Sequence, residues 1–210
     1  MNNSAILYSQ ILRFGNVFSL SPYYDPKKFL TEISQFDDQW KQYNPRKRNP
    51  RQGLSLTSLD GGFSGVPDLD SLTEYNKDNG TNIRELDIKT PTPAYEYATP
   101  YLSIFQNSVC RSHVIRLFPG GYFPTHRDNH KLEISSFRIF VPLMHCNSTY
   151  MYFMLEDKIL NFDHGRPYFF NSSLEHTLFN PSIKTVYFIV LNIEINEESV
   201  DSLLSNMYLI

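Results

Sequence analysis

Cysteine is scarce in this sequence. Of its 210 residues, only Cys110 and Cys146 are cysteines. Two thiols are too few for a disulfide framework or for a zinc site built mainly from cysteine. Long apolar runs are missing as well, because no stretch approaches the roughly 20 apolar residues that span a bilayer. We therefore expect neither a disulfide-stapled domain nor a membrane-spanning protein.

The chain also lacks a strong excess of charge of either sign. Its formal net charge is -3, which gives no general electrostatic reason to bind nucleic acid or an anionic membrane. The first residues, MNNSAILYSQILRFGNVF, contain no basic segment followed by a clean apolar core, which is the pattern of a secretory signal. We expect a cytoplasmic protein without nucleic-acid or membrane partners.

Aromatic residues, by contrast, are abundant, with 16 Phe and 14 Tyr. Such residues favour β-strands and fill bulky cores. From about residue 110 onward, short β-branched and aromatic runs are separated by turn residues, as in SHVIRLF, FRIFVPLM and KTVYFIVLNIEI. Strands at this regular spacing indicate a sandwich or a barrel.

Two helices are predicted outside this strand-rich region. Asp25 is a good N-cap and Pro26 a good first residue for a helix near the N-terminus. A second apolar stripe at helical spacing predicts a helix at the C-terminal end. The first stripe consists of Phe29, Ile33, Phe36 and Trp40, and the second of Val200, Leu203, Leu204 and Met207.

A basic segment follows the first predicted helix. Between Lys41 and Arg51 the sequence KQYNPRKRNPR carries five basic residues and no acid. Two interpretations are open: a solvated loop, or a basic rim that receives an anionic ligand.

Three side chains could hold a metal ion. His126 and Asp128 are two residues apart, and on an extended segment positions i and i+2 project to the same side. His176 lies several predicted strands further on and could supply a third ligand. Two histidines and one carboxylate form the facial triad of non-haem Fe(II) oxygenases, which leaves open positions on the metal. An H-x-D pair alone is weak evidence, because a polar turn with a hydrogen-bonded histidine gives the same pattern.

The order of motifs around these residues resembles that of the aspartyl/asparaginyl β-hydroxylases and the bacterial cis-proline hydroxylases, which are Fe(II)/2-oxoglutarate oxygenases. The resemblance covers roughly residues 110–195. It rests on the strand VIRLFPGGYFPTHRD, the Arg-bearing strand FRIFVPL, the stretch GRPYFFN before the distal histidine, and a hydrophobic last strand. It implies metal ligands at His126, Asp128 and His176, and a 2-oxoglutarate contact at Arg138.

The resemblance also implies a fold. We expect an α+β, mainly β chain with a double-stranded β-helix (jelly-roll, cupin-like) core and flanking helices, forming a single domain over residues 1–210. The expected parts are an N-terminal helix, basic loop and supporting strands (1–109), the double-stranded β-helix core (110–195), and a C-terminal helix (196–210).

One position departs from the family pattern. Family members carry an arginine on the last strand that binds the cosubstrate carboxylate, whereas this chain has Thr185 there with Lys184 beside it. Because only an arginine offers a two-pronged fork to a carboxylate, we expect Arg138 to be the principal anchor and Lys184 or Thr185 to be accessory. Arg116 is a further candidate, either as a second anchor or as a structural partner for an acid.

The function implied by the resemblance is a hydroxylase that uses Fe(II), 2-oxoglutarate and O₂. Its substrate would be an amino acid, free or within a peptide, and its co-products succinate and CO₂. Two alternatives remain open at this stage. One is a metal-binding cupin-like enzyme that acts on a small molecule without 2-oxoglutarate, and the other is a non-catalytic binding module of the same fold.

Overall fold

The computed structural model describes residues 3–128 and 134–208. Its α-helices are α1 (Asn3–Leu12), α2 (Pro26–Ile33), α3 (Leu72–Asn79), α4 (Tyr95–Leu102) and α5 (Glu197–Ser205). Short 3₁₀ helices cover Ser34–Gln39, Glu85–Asp87 and Gln106–Ser108. No helix of the described residues is long and apolar enough to cross a membrane.

The strands are concentrated in the second half of the chain. They are β1 (Val17–Leu20), β2 (Lys41–Gln42), β3 (Arg51–Ser55), β4 (Thr57–Ser58), β5 (Thr90–Pro91), β6 (Val109–Leu117), β7 (Tyr122–His126), β8 (Ser136–Met144), β9 (Tyr152–Leu155), β10 (Lys158–Leu160), β11 (Tyr168–Phe170), β12 (His176–Phe179), β13 (Val186–Glu194) and β14 (Met207–Tyr208).

Two antiparallel sheets form the body of the protein. The large sheet has the order β14-β1-β11-β8-β13-β6-β3-β2, and the small sheet has the order β10-β9-β12-β7. The chain crosses between the two sheets repeatedly after residue 109, so that most neighbouring strands are not consecutive in sequence; β9 with β10 and β2 with β3 are the exceptions among the described strands of these two sheets. This is a double-stranded β-helix with flanking helices, and the predicted fold class is confirmed.

The large sheet is buried on both faces. One face packs against the helices, and the other packs against the small sheet. Strand β8 illustrates the division, because Phe137, Ile139 and Val141 belong to the helix-side core whereas Phe140 belongs to the core between the sheets. Because side chains alternate along a strand, Arg138 lies on the same side of β8 as Phe140.

The predicted helices are present with altered ends. Asp25 caps α2 by accepting a hydrogen bond from the Lys27 N–H, and Pro26 is its first residue. The helix ends at Ile33, however, and the chain continues as a distorted 3₁₀ segment. Trp40 is buried, but it follows the end of the helix and is not part of the helix's apolar face.

The C-terminal helix α5 is shorter than its apolar pattern suggested. Asn196 caps its start, and Val200 and Leu203 are buried. Since the helix ends at Ser205, Met207 lies on strand β14 instead. The division of the chain at residues 109 and 195 stays a prediction, and strands β1, β2 and β3 from the first part join the large sheet.

Candidate metal centre and cavity

Strand pairing in the small sheet brings two histidines together. His126 is the last residue of β7 and His176 the first of β12, and the two lie directly opposite each other in the antiparallel ladder. Their ring centroids are 4.2 Å apart. The preceding turn is tight, since Gly120 has φ +76° and a Cβ at Gly121 would lie 2.6 Å from the Pro50 carbonyl oxygen.

Asp128 completes the group two residues after His126. One of its carboxylate oxygens, Oδ1, lies 3.4 Å from His126 Nε2, and the other, Oδ2, lies 3.8 Å from His176 Nε2. One potential ligand atom from each of the three residues falls within 4.8 Å of the others. The structure thus brings together the three residues that the sequence singled out.

The histidine rings are oriented for metal binding. His126 Nδ1 lies 2.6 Å from the Pro124 carbonyl oxygen, and His176 Nδ1 lies 3.0 Å from the Leu174 carbonyl oxygen. A carbonyl only accepts hydrogen bonds, so each Nδ1 carries the hydrogen and each Nε2 keeps a free lone pair. Two neutral imidazoles and one carboxylate are a donor set that suits Fe(II), so the residues present fit the metal that the sequence resemblance implies.

Asp128 is held as a carboxylate by its surroundings. Burial raises the pKa of this carboxyl, but the positive charge of Arg138 and the hydrogen bond from Arg138 outweigh burial and hold the pKa well below its usual range. The group is therefore ionised and ready to bind a cation.

Arg138 connects Asp128 to a second buried acid. Its Nε donates to Asp128 Oδ2, its Nη1 donates to Asn192 Oδ1, and its Nη2 lies 3.2 Å from Glu85 Oε1. Arg138 therefore lies beside the candidate metal centre, and its predicted contact with 2-oxoglutarate stays a prediction. All three of its nitrogens are engaged within the protein.

Glu85 in turn binds a second arginine. Its Oε1 accepts a hydrogen bond of 2.8 Å from Arg111 Nη1. Burial raises the pKa of Glu85, but Arg138 and Arg111 more than compensate and lower the pKa to about 2. Asp128, Arg138, Glu85 and Arg111 thus form a row of alternating charges whose two acids and two guanidinium groups cancel.

A cavity of about 630 Å³ lies next to this row. Its polar wall contains His126, Asp128, His176, Arg138, Glu85, Arg111, Asn192, Lys47 and Asp70. Its apolar wall contains Phe123, Phe140, Phe153, Phe170, Leu178, Phe188 and Val190. The volume suits a small organic ligand, and the apolar wall keeps water away from the ligand on one side.

Three of the predicted cosubstrate anchors lie elsewhere. Arg116 projects to the other side of β6, where its Nε donates to Gln52 Oε1 and its guanidinium lies 4.5 Å from the Trp40 ring centroid. Lys184 is exposed in the turn before β13, and Thr185 offers only its carbonyl to His145. None of the three lines the cavity.

Lys184 and Thr185 lie outside the cavity because of the position at which strand β13 begins. Strand β13 begins only at Val186, so Lys184 and Thr185 precede the ladder instead of facing its interior. The β13 residues that do line the cavity are Phe188, Val190 and Asn192, none of which is basic. The structure therefore does not support Lys184, Thr185 or Arg116 as anchors.

The basic segment divides between several environments. Arg46 forms ion pairs with Asp70 and Asp78, while Lys47 lines the cavity. Arg51 is buried in β3, with only 3% of its surface exposed. Neither a fully solvated loop nor a continuous rim describes this segment.

The sequence patterns missed Glu85, Arg111 and His113. His113 is 3% exposed and lines the cavity. Strand alternation places Arg111 and His113 on the same face of β6, which is the only sequence signal that links them. His130, which lies close to the metal-ligand candidates in sequence, is outside the described residues.

Comparison with known proteins supports the fold and not a closer relationship. No protein-family model and no curated protein sequence matches the chain. A prolyl-4-hydroxylase from Pseudomonas putida is 10% identical, with a TM-score of 0.51 over 92% of this chain and 98% of that one. A prolyl hydroxylase from Trichoplax adhaerens, solved with a hypoxia inducible factor peptide, is 14% identical, with a TM-score of 0.53 over 95% and 92%.

A third similar structure is the viral collagen prolyl hydroxylase of Paramecium Bursaria Chlorella virus-1, solved as a 2OG complex. It is 9% identical, with a TM-score of 0.51 over 89% of this chain and 99% of that one. The TM-scores and coverage of these three structures show a shared fold across nearly the whole length of each chain, and identities this low show no more than that.

Proposed function

We propose that this protein is an Fe(II)- and 2-oxoglutarate-dependent hydroxylase. The observation that carries the proposal is the group of His126, Asp128 and His176, with both Nε2 atoms free and the carboxylate ionised at one end of a cavity. When bound, iron with its cosubstrate supplies the oxidation of an unactivated C–H bond by O₂. His126, Asp128 and His176 would hold the iron.

The charges around the cavity favour an anionic cosubstrate. Asp128 and Glu85 are balanced by Arg138 and Arg111, so a divalent cation adds two positive charges that nothing in this row compensates. A dicarboxylate dianion such as 2-oxoglutarate supplies that compensation. A neutral ligand would leave the charge in a largely buried site, which is costly.

The protein's own contribution is orientation and exclusion of water. Arg138 donates to Asp128 Oδ2, which fixes the carboxylate and leaves Oδ1 on the side of His126. Hydrogen-bonded partners of this kind orient metal ligands and tune their affinity. The aromatic wall formed by Phe140, Phe153 and Phe170 keeps one side of the cavity dry.

The proposed substrate is an amino acid, either free or within a peptide. The sequence resemblance to amino-acid and aspartyl/asparaginyl hydroxylases supports this class. The fold shared with prolyl hydroxylases agrees with it, because prolyl residues of proteins and peptides belong to the same class.

A second candidate function is a metal-dependent, cupin-like enzyme that does not use 2-oxoglutarate. One observation favours it: no basic residue occupies the cavity-facing positions of β13, where Phe188 and Val190 are found instead. The two candidates share the metal centre and differ in whether a dicarboxylate binds there.

Binding of 2-oxoglutarate under oxygen-free conditions separates the two candidates. We expect calorimetry to show one 2-oxoglutarate per protein loaded with Mn(II), an inert stand-in for Fe(II), and at least about tenfold weaker binding without metal. A Lys184→Ala variant should bind like the wild type, because Lys184 lies outside the cavity. Equal affinity with and without Mn(II), or no binding at all, would favour the cupin-like alternative.

A further inference from the structure

Two buried polar side chains face the interior of the β-helix without a role in the metal centre. Arg51 on β3 and His113 on β6 belong to neighbouring strands, where Arg51 pairs with Leu117 and His113 pairs with Ser55. Directly paired residues project to the same side of a sheet, so Arg51 and His113 share one face. Each is only 3% exposed.

Both side chains have unused hydrogen-bonding capacity. His113 Nδ1 and Arg51 Nε are buried and have no hydrogen-bond partner. Arg51 Nη1 donates to the Tyr122 carbonyl oxygen at 2.7 Å, but no acid within residues 3–128 and 134–208 forms an ion pair with Arg51. Buried polar groups are normally paired, and a buried charge without an acid is costly, so this arrangement calls for an anionic partner from outside the chain.

Tyr43 joins the two residues at one end of the cavity. Its ring centroid lies 5.1 Å from that of His113, and the Arg51 guanidinium lies 5.0 Å from the Tyr43 centroid. The guanidinium also lies 4.1 Å from the Phe123 centroid. Tyr43, His113 and Phe123 line the cavity, while Arg51 is behind the two aromatic rings.

The protonation states suit the binding of an anion. Burial, together with the positive charges of Arg111 and Arg138, lowers the pKa of His113 to about 3, so its ring is neutral and carries one N–H. Burial also lowers the pKa of Arg51, but a guanidinium stays charged in proteins. The neutral His113 ring and the Tyr43 side chain therefore line the cavity, with the positive charge of Arg51 behind them.

We propose that His113 and Tyr43, backed by Arg51, form a carboxylate subsite that takes the outer carboxylate of 2-oxoglutarate. This inference rests on the proposed function. It accounts for the absence of a basic residue on the cavity face of β13, because the cation comes from β3 on the other side of β6. It also assigns Arg138 mainly to the positioning of Asp128 rather than to the predicted role of principal anchor.

The subsite lies at a suitable distance from the metal centre. Phe123, which covers Arg51, is three residues before His126 on β7. At a rise of about 3.3 Å per residue, their Cα atoms are about 10 Å apart. A five-carbon diacid, together with the side chains that contact its two ends, covers such a span.

Two ligands that differ only in the outer carboxylate test the subsite. 2-Oxoglutarate and 2-oxopentanoate are titrated under oxygen-free conditions into Mn(II)-loaded wild type, His113→Phe and His113→Asn. We expect His113→Phe to weaken 2-oxoglutarate binding at least about tenfold, since a hydrogen bond to a charged group is lost, and to leave 2-oxopentanoate binding unchanged. His113→Asn keeps an amide donor and should recover part of the affinity. Arg51→Met should weaken 2-oxoglutarate binding in the same selective way.

The controls separate this inference from the proposed function. If wild type binds neither ligand in the presence of Mn(II), both the proposed function and the subsite are refuted. If wild type binds 2-oxoglutarate and His113→Phe binds both ligands as wild type does, only the subsite is refuted. An equal loss for both ligands would also refute it, because His113 would then affect the metal end. Thermal melts establish whether each variant is folded. If Arg51→Met does not fold, the His113 variants alone decide the test.

Discussion

A His176→Ala variant is expected to lose divalent-metal binding by at least about a hundredfold. Substitution of a residue that merely orients a ligand typically weakens metal affinity by about 10–100-fold, so removal of a ligand itself should cost more. Equilibrium dialysis with Mn(II) measures the effect directly. His126→Ala should behave in the same way, and its ring is the more exposed of the two, so the fold is less affected.

A control histidine shows that the effect is specific. His164 Nε2 accepts a hydrogen bond from the Cys146 N–H and lies outside the cavity. His164→Asn should therefore bind Mn(II) with wild-type affinity. Full metal stoichiometry and affinity in a folded His176→Ala protein would remove this residue from the metal centre.

Arg138→Met is expected to produce the largest loss of stability. The substitution leaves Asp128 and Glu85 buried without the cation between them, and breaking a buried ion pair from one side costs about 3–5 kcal/mol. It should also weaken Mn(II) binding by about 10–100-fold, because Asp128 loses the group that orients it. Chemical denaturation of the metal-free protein measures the first effect, and metal titration measures the second.

Two further variants test the cause of this loss. Without Arg138 the row holds two acids and one guanidinium, so adding Glu85→Gln leaves one acid and one guanidinium and should restore part of the stability. Arg84→Met breaks the exposed ion pair with Asp87 and should leave the denaturation midpoint almost unchanged. An Arg138→Met protein as stable as the wild type would show that the row of alternating charges does not hold the site together.

The candidate metal-ligand group could be predicted because two of its members are close in sequence and the third lies within a recognisable motif. The i, i+2 relation of His126 and Asp128 follows from the pleat of an extended chain, and His176 was found from the order of the motifs around it. Strand alternation in FRIFVPL also indicates that Arg138 lies on the face of β8 opposite to Phe137, Ile139 and Val141, which form part of the helix-side core.

The remaining site residues could not be predicted because the large sheet is covered on both faces. In β6, Val114 packs against the helices and Ile115 packs against the small sheet, so apolar residues occur on both sides and alternation does not reveal the cavity face. Arg111 and His113 therefore carried no distinguishing signal. Glu85 reaches the site from a short 3₁₀ helix far from β8 in sequence, and only tertiary packing brings it there.

The assignment of Lys184 and Thr185 as accessory anchors stays a prediction, although neither residue lines the cavity. The assignment came from aligning the last strand with the family pattern, which assumes that β13 starts at the spacing that the pattern has. In the structure Asn180 accepts hydrogen bonds from Ser182 and donates to the Lys184 carbonyl, so this segment forms a turn and the ladder begins later. A spacing rule cannot register a turn of this kind.

The release of succinate from 2-oxoglutarate tests the central claim most directly. Wild-type protein is incubated with Fe(II), O₂ and 2-oxoglutarate across a panel of free amino acids and short peptides, with Asp128→Ala as the matched control. We predict succinate formation that requires both Fe(II) and O₂, that increases with one class of substrate, and that is absent in Asp128→Ala. Succinate at the level of Asp128→Ala across the whole panel, from folded wild-type protein that has bound Fe(II), would contradict the assignment as a 2-oxoglutarate-dependent hydroxylase.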